Sequence, residues 1–96
     1  MKAYLVLDLA IHDLEPFREY MARIPEFIQK HGGHYIVQGV QPVVVEGDWE
    51  PERMVILEFP SRHHAESFLQ DPEAQALFKI RHRTTTSKLV LVEGNT

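Results

Sequence analysis

The stretch Ala3-Tyr4-Leu5-Val6-Leu7-Asp8-Leu9-Ala10-Ile11 decides the fold of this chain. Its odd positions are all apolar, and its even positions are largely apolar too, with Asp8 as the exception. A strand that exposes one face to water alternates apolar and polar residues, so this strand is predicted to be covered on both faces. The segment from Arg53 to Phe59 has the same two-sided character, since neither of its faces is plainly polar.

An amphipathic helix is predicted after the first strand. Asp13 is a suitable N-cap, and Gly32-Gly33 ends the helix because glycine accepts the left-handed conformation. Pro25 lies inside the pattern and is expected to kink the helix or to remove one of its hydrogen bonds. Apolar residues recur along the helix at spacings of three and four, namely Leu14, Phe17, Met21, Ile24 and Ile28.

The middle of the chain is predicted to form a long second strand region, from His34 to Glu46. Gly39 and Pro42 mark a bulge or bend within it, because glycine weakens a strand and proline cannot donate to the ladder. Residues 46–51 form an acidic turn that contains the tryptophan of the chain.

The last third supplies a second helical region and a final strand. Ser61 is a good N-cap, and Asp71-Pro72 begins a further helical segment with proline near its favoured first position. A polar stretch at residues 84–87 leads into the last strand, Leu89 to Val92.

The element order β-α-β-β-α-β predicts one α+β, ferredoxin-like domain over residues 1–96, with a four-stranded antiparallel sheet. Right-handed crossovers place the helices on one face of that sheet. The other face keeps apolar residues such as Tyr4, Val6, Met54 and Ile56 without cover from the chain itself. An exposed apolar face of this size usually marks an interface, so a homodimer is predicted.

Composition excludes several classes of function. The net charge of -4 and the short basic run Arg81-His82-Arg83 argue against nucleic-acid binding, which needs a basic surface to displace counter-ions from phosphates. The absence of cysteine excludes disulfides, thiolate catalysis and thiolate zinc sites. No apolar run approaches the length of a membrane span, so a cytoplasmic protein without membrane partners is expected.

The assembled residues resemble the domain of unknown function family 1330, within the dimeric α/β-barrel superfamily. The most specific mark is the segment Glu46-Gly47-Asp48-Trp49-Glu50-Pro51-Glu52-Arg53. Weaker marks are spread over nearly the whole chain: Asp13, Tyr20, Gly32-Gly33-His34-Tyr35, Gly39, Glu58-Phe59-Pro60-Ser61, Arg81 and Leu91-Val92-Glu93-Gly94.

The resemblance implies a dimeric α/β barrel in which two sheets pack face to face, and it implies no known activity. Phe17 and Leu14 depart from the family pattern, which often has tyrosine and proline at these places. Relatives in the superfamily include cofactor-free monooxygenases, isomerases and haem enzymes, but a shared fold does not transfer their chemistry.

Asp8 and Glu58 are the first candidate catalytic residues, with His34 beside them. The first and third strands are expected to be parallel neighbours, which would bring the two carboxylates to the same end of the uncovered face. Two close carboxylates share a proton easily and so suit acid–base chemistry. The alternative is that basic residues pair with them or that they reach water at the rim.

The six histidines do not form a recognised metal-binding pattern, so no metal and no cofactor are expected. His63 and His64 are adjacent on a predicted helix and point apart. His31 and His34 flank the Gly-Gly turn and could converge, so a mixed His/carboxylate site is the alternative.

Arg53 and Arg81 are candidate ligand-binding residues, because a guanidinium grips a carboxylate with two parallel hydrogen bonds. The alternative is that they pair with internal acids such as Glu46 and Glu58. His82 could exchange a proton near neutral pH, and Trp49 suits a pocket lid or a dimer contact.

Two functions therefore stay open at the level of sequence. One is a small dimeric enzyme without a cofactor, acting on a small organic molecule. The other is a non-catalytic dimeric module that binds a small molecule or assists a partner. A pocket with unpaired polar groups would favour the first function, and a closed dry core would exclude it.

Overall fold

The computed structural model describes residues 1–96 and contains four strands and three helices. The strands are β1 (Ala3–Ile11), β2 (His34–Val40), β3 (Arg53–Phe59) and β4 (Thr85–Glu93). The helices are α1 (Leu14–Lys30), α2 (Arg62–Gln70) and α3 (Pro72–Thr84). None of these helices is long and apolar enough to cross a membrane.

The strands form one antiparallel sheet in the order β2-β3-β1-β4, so the protein is α+β with the predicted ferredoxin-like arrangement. The sheet of one chain is open and has β2 and β4 as its edges, so it is not itself a closed barrel. The expectation that β1 and β3 run parallel is wrong. They are neighbours but antiparallel, because in this topology the chain returns along β3 between the parallel strands β1 and β2.

The odd residues of β1 and β3 face the helices and form the core. Leu5 and Leu57 are opposite one another across the two strands and are both buried. Helix α1 buries Phe17, Tyr20 and Ile24 against the same core at spacings of three and four. The predicted amphipathic helix is therefore confirmed.

Gly33 shows why the turn into β2 needs a residue without a side chain. A Cβ at this position would lie 2.5 Å from the ring of Phe59, which is fully buried. Phe59 in turn packs against Phe68, with ring centroids 5.5 Å apart. The glycine therefore lets β2 approach the aromatic part of the core.

Element boundaries differ from the sequence-based prediction in two places. Helix α1 continues through Pro25, as its apolar pattern up to Ile28 predicted, and residues on both sides of the proline are buried against the core. Strand β2 ends at Val40 and does not continue to Glu46. The predicted bulge at Gly39 is confirmed, because this residue has a φ of 72° and the register of the pairing with β3 shifts there. Strand β4 begins early, at Thr85, because that residue pairs with the end of β1.

The N-caps follow the prediction for two helices. The Ser61 hydroxyl accepts a hydrogen bond from the backbone N–H of His64, and the Asp71 carboxylate accepts from Glu73 and Ala74. Asp13 occupies the N-cap position of α1 without a side-chain hydrogen bond.

The even residues of β1 and β3 lie on the face that no helix covers, called here the open face. Its central row across the sheet is wholly apolar and consists of Val90, Val6, Ile56 and Val37. The two flanking rows carry the charged residues of these strands, with Lys88 and Asp8 on one side and Glu58 and His34 on the other. The open face is therefore an apolar band with charged borders.

Candidate functional site

A cavity of about 440 Å³ lies between the helices and the sheet, on the face opposite the open face. Its volume is within the range of small-molecule sites. Seventeen of its 21 lining residues are hydrophobic, so any polar group among them determines which ligand it can accept. The lining contains no aspartate and no glutamate, but it contains Arg53 and Arg81.

Helix α3 carries Arg81 into this cavity. Its buried positions include Ala74, Leu77, Arg81 and Thr84, which share one side of the helix at spacings of three and four. Arg81 thus stands where the helical pattern otherwise has an apolar residue, and only 5% of it is exposed. The end of α3 is held by Thr85, whose hydroxyl donates to the carbonyl of Arg81 at 2.6 Å.

The guanidinium of Arg81 has few partners within the chain. Its Nη2 donates to Nε2 of His82 at 3.2 Å, while its buried Nε has no hydrogen-bond partner. The group lies over the rings of Phe78 and Tyr20, with centroid distances of 5.3 and 5.9 Å. No acid forms an ion pair with it. A buried cation without a counter-ion makes the cavity complementary to an anion.

Two tyrosines place further polar groups in the same cavity. Burial raises the pKa of Tyr20, and the nearby charge of Arg81 partly opposes this rise. Burial also raises the pKa of Tyr35 to about 12, with a smaller contribution from Tyr20. Both phenols are therefore neutral at physiological pH and available as hydrogen-bond donors. Arg81, Tyr20 and Tyr35 form one group of neighbouring donors within an apolar surface.

Arg53 lines the cavity where β3 begins, beside Gln38 and Gly39 of β2. Its Nη1 donates to the carbonyl of Gly39 at 3.3 Å, and the residue is otherwise exposed. The alternative that internal acids neutralise the two arginines is wrong, because neither Arg53 nor Arg81 forms an ion pair.

The predicted approach of Asp8 and Glu58 does not occur within the chain. Because β1 and β3 are antiparallel, Asp8 is opposite Met54 whereas Glu58 is opposite Tyr4, in different rows of the open face. Asp8 instead accepts a hydrogen bond from Nε1 of Trp49 at 2.9 Å. This contact ties the acidic turn to the open face, and Trp49 is not part of the cavity lining.

Glu58 does meet His34, as neighbours in one row of the open face. Its Oε1 lies 3.3 Å from Nε2 of His34 and 3.3 Å from Nζ of Lys2. The alternative that basic residues pair with Asp8 and Glu58 is therefore correct for Glu58. The candidate catalytic residues therefore lie on the open face, separate from the cavity.

The histidines are distributed among different partners. His31 lies 2.8 Å from Asp71, while His34 contacts Glu58, so the two do not converge. The structure contains no group of three or more histidine and acidic side chains that could hold a metal ion. His82 is exposed and reaches the cavity only through its contact with Arg81.

Asp71 joins the end of α1 to the start of α3. Hydrogen bonds from His31 first and Lys30 second hold the pKa of this carboxyl well below its usual value of 3.8. A carboxylate with a lower pKa in the folded state stabilises the fold above its unfolded pKa, and that stabilisation is lost as the pH falls through the folded pKa.

We therefore expect the free energy of unfolding to decrease as the pH is lowered from about 4, following the direction of this shift. In Asp71→Asn this decrease should be smaller, because asparagine keeps the N-cap and removes the titrating charge. Urea denaturation at a series of pH values measures the difference. Equal acid sensitivity of both proteins would contradict the role of Asp71, and Asp13→Asn is a matched control.

The two tyrosines were missed as site residues from the sequence, where they suit the core or its rim. A usable signal was present, since Tyr20 lies between Phe17 and Ile24 on an otherwise apolar helix face. Arg81 interrupts the apolar face of α3 in the same way. Polar residues on the buried sides of two packed helices indicate an internal polar site.

Comparison with known proteins identifies the domain. The profile of the family described as "Domain of unknown function (DUF1330)" matches residues 2–95. No curated protein matches the chain.

Several solved structures share the fold. A protein of unknown function from Rhodopseudomonas palustris superposes with a TM-score of 0.80 at 17% identity, over 99% of this chain and 83% of its own. SnoaB, a cofactor-independent oxygenase from Streptomyces nogalater, gives 0.69 at 14% identity, over 99% and 94%. A dimeric protein of unknown function and ferredoxin-like fold from Bacteroides fragilis gives 0.54 at 14% identity, over 97% and 96%. At these identities the comparisons establish the fold alone.

Proposed function

The chain belongs to the DUF1330 family, and we propose that its helix–sheet cavity binds a small, mainly apolar organic molecule as an anion. The observation that carries this proposal is Arg81, a guanidinium that is almost fully buried, lines a cavity without acids and forms no ion pair. An anionic oxygen of the ligand would replace the hydration that burial removes from Arg81. The apolar lining would bind the body of the molecule.

We further propose that the protein is a cofactor-independent enzyme that stabilises an oxyanion such as an enolate or phenolate. Positively charged and neutral donors preorganised in a dry site stabilise negative charge on oxygen strongly. Arg81 supplies the charge, and the neutral phenols of Tyr20 and Tyr35 supply further donors. The lining has no Asp, Glu or His to act as base, so the proposal favours substrates acidic enough to ionise readily. The fold shared with an oxygenase is compatible with this chemistry.

Binding of 4-nitrophenol tests the preference for an anion that both parts of the proposal require, because its ionised form absorbs visible light and its pKa lies near neutrality. We expect the bound phenol to ionise at a pH about one unit lower than the free phenol, which corresponds to about 1.4 kcal/mol of preference for the anion. In Arg81→Met the shift and most of the affinity should disappear. The unliganded variant should fold as well as the parent, because methionine suits the apolar site better than an unpaired cation.

Arg83→Met is the matched control, since Arg83 is exposed on the same helix and does not line the cavity. Its titration should match that of the parent protein. A bound phenol whose pKa is unchanged, or a shift that persists in Arg81→Met, would contradict the proposal.

A non-catalytic module that binds the same anions is the second candidate, and the absence of an acid–base residue in the lining favours it. The two candidates differ in one property. An anion-binding module would also prefer the ionised probe, whereas an enzyme must in addition convert an acidic substrate, so turnover of such a substrate, and its loss in Arg81→Met, separates the two candidates.

We propose that the protein acts as a homodimer through the open face. The molecule is a slab of 33 × 31 × 16 Å, so its broad face is comparable with the ~800 Å² that each partner buries in a standard interface. Exposed apolar residues on it include Val40, Val90 and Val92. A ferredoxin-like neighbour is described as dimeric, which supports a second copy as the cover.

Catalytic roles for Asp8, Glu58 and His34 would require the dimer, in which the charged borders of two open faces meet. His82 is proposed to assist the cavity by orienting Arg81, and Trp49 to anchor the acidic turn near the interface. A cytoplasmic location is proposed on composition alone.

A further inference from the structure

We infer that residues 42–45, called here the valine segment, bind as an added strand to the free edge of β4 in a second copy of this chain. This inference rests on the homodimer proposed above, and it names a contact between the two copies that lies outside the open face. In a symmetric dimer each copy gives one valine segment and receives one.

The valine segment has the composition and conformation of a strand. It follows β2, precedes the acidic turn of residues 46–51 and contains no bend. Val43 and Val45 are 87% and 90% exposed, whereas Val44 between them is 42% exposed. This alternation is typical of an extended chain, and valine is among the residues that strands favour most. The segment is therefore already shaped for strand pairing.

The valine segment has no strand partner within its own chain. It belongs to no strand of the sheet, and its N–H and C=O groups form no backbone hydrogen bond. The β4 of the same chain lies beyond both β3 and β1 as seen from β2. Unpaired backbone groups on an extended segment are a template for pairing with another chain.

Strand β4 is the edge that such a segment can extend. It is nine residues long and pairs with β1 alone, without a register shift. Proteins commonly protect an edge strand with bulges, and the other edge, β2, has two register shifts in its pairing with β3. β4 has none and exposes Leu89, Val90 and Val92. Its outer backbone groups thus form a long, regular edge that needs a cover.

Charge complementarity favours the same partner. Arg83 and Lys88, just before and within the first half of β4, form no ion pair. The stretch that follows the valine segment holds four acids that form no ion pair either, namely Glu46, Asp48, Glu50 and Glu52. Binding of the segment to β4 brings these opposite charges near one another, whereas pairing of two valine segments would bring two acidic turns together.

The valine segment lies at the border of the open face. Together with Trp49 and Met54 it lines a small cavity of about 210 Å³. Met54 lies on the open face opposite Asp8, and Trp49 is hydrogen-bonded to Asp8. A second copy that packs on the open face therefore comes within reach of the segment, so the strand contact continues the proposed interface.

Disulfide cross-linking tests the inference, because the chain has no cysteine of its own. One chain carries Val44→Cys, and a second chain of different mass carries a single cysteine at each position from Thr86 to Val92 in turn. A disulfide needs Cα atoms within about 7 Å, a distance that facing residues of paired strands satisfy. We expect cross-linked heterodimers at every second position only, because side chains on one face of a strand recur with that period.

Ile36→Cys on the other edge strand, β2, is the matched control, since Ile36 is also exposed. The best β4 position should give about tenfold more cross-linked heterodimer than this control, as expected for close Cα atoms.

Val44→Pro gives an independent measurement by sedimentation. Proline removes the N–H that the added strand would donate, and in a symmetric dimer this loss occurs twice, so the dissociation constant of the dimer should rise about tenfold. The fold should persist, because Val44 has no backbone hydrogen bond within the chain. Val44→Thr keeps the N–H and the branched Cβ and should dimerise like the parent protein.

In a parent protein that dimerises, cross-linking to β4 no stronger than to Ile36→Cys overturns the inference and leaves the proposed homodimer in place. The same holds if Val44→Cys links only to itself, or if Val44→Pro dimerises as strongly as Val44→Thr. A monomeric parent protein overturns both the inference and the homodimer.

Discussion

Ile56→Asp is expected to convert the protein from a dimer into a folded monomer. Ile56 occupies the centre of the apolar row on the open face, between Val6 and Val37. In a symmetric dimer the substitution places two unpaired carboxylates in a buried interface, and an uncompensated buried charge costs about 3–5 kcal/mol. The dissociation constant should therefore rise by more than about a hundredfold.

Sedimentation velocity over a range of concentrations measures this change, and far-UV circular dichroism checks the fold. Ile56 is only half-buried in the single chain, so its aspartate can reach water in the monomer. Ala22→Asp adds the same charge on the exposed side of α1 and should leave the dimer intact. A monomeric parent protein, or a variant that dimerises as strongly as the parent, would contradict the proposed assembly.

Phe59→Ala is expected to lower the free energy of unfolding by about 3–5 kcal/mol, the usual cost of truncating a buried phenylalanine. Its ring is fully buried, packs on Phe68 and fills the space above the Cα of Gly33. The structure around it cannot close the gap easily, because the neighbouring positions belong to a strand, a helix and a tight turn. The loss is a large fraction of the stability of a domain of this size.

Urea denaturation at fixed protein concentration gives the value. Phe59→Leu retains most of the buried volume and should lose much less stability, about 1 kcal/mol. A decrease below about 1 kcal/mol for Phe59→Ala would mean that this region repacks freely, contrary to the close Gly33–Phe59 contact.

Much of the fold could be predicted from particular residues. The two-sided apolar pattern of β1 identified a central strand of the sheet, and the caps Ser61 and Asp71 marked where α2 and α3 begin. These signals are local, because side-chain periodicity and capping depend on neighbours within a few residues. The acidic turn that contains Trp49 is also the most specific mark of the resemblance to the family.

The candidate site was predicted only in part. Arg53 and Arg81 were identified from their chemistry, and both line the cavity. Their neighbours Tyr20 and Tyr35 were not, since nothing local distinguishes a tyrosine at a cavity from a tyrosine in a packed core. The prediction that Asp8 and Glu58 meet was wrong because it assumed that β1 and β3 are parallel. In the antiparallel pair, a residue near the end of one strand lies opposite the beginning of the other.

The sequence by itself determined the elements, their order and a sheet with apolar residues on both faces, because these follow from short-range patterns and from the chirality of the chain. Only the tertiary structure decided which polar groups meet. It separated Asp8 from Glu58, paired Asp8 with Trp49, and brought Arg81, Tyr20 and Tyr35 to one acid-free cavity. The physical reason is that burial and charge at a site depend on residues far apart in the chain, whose register and helix rotation are fixed by packing.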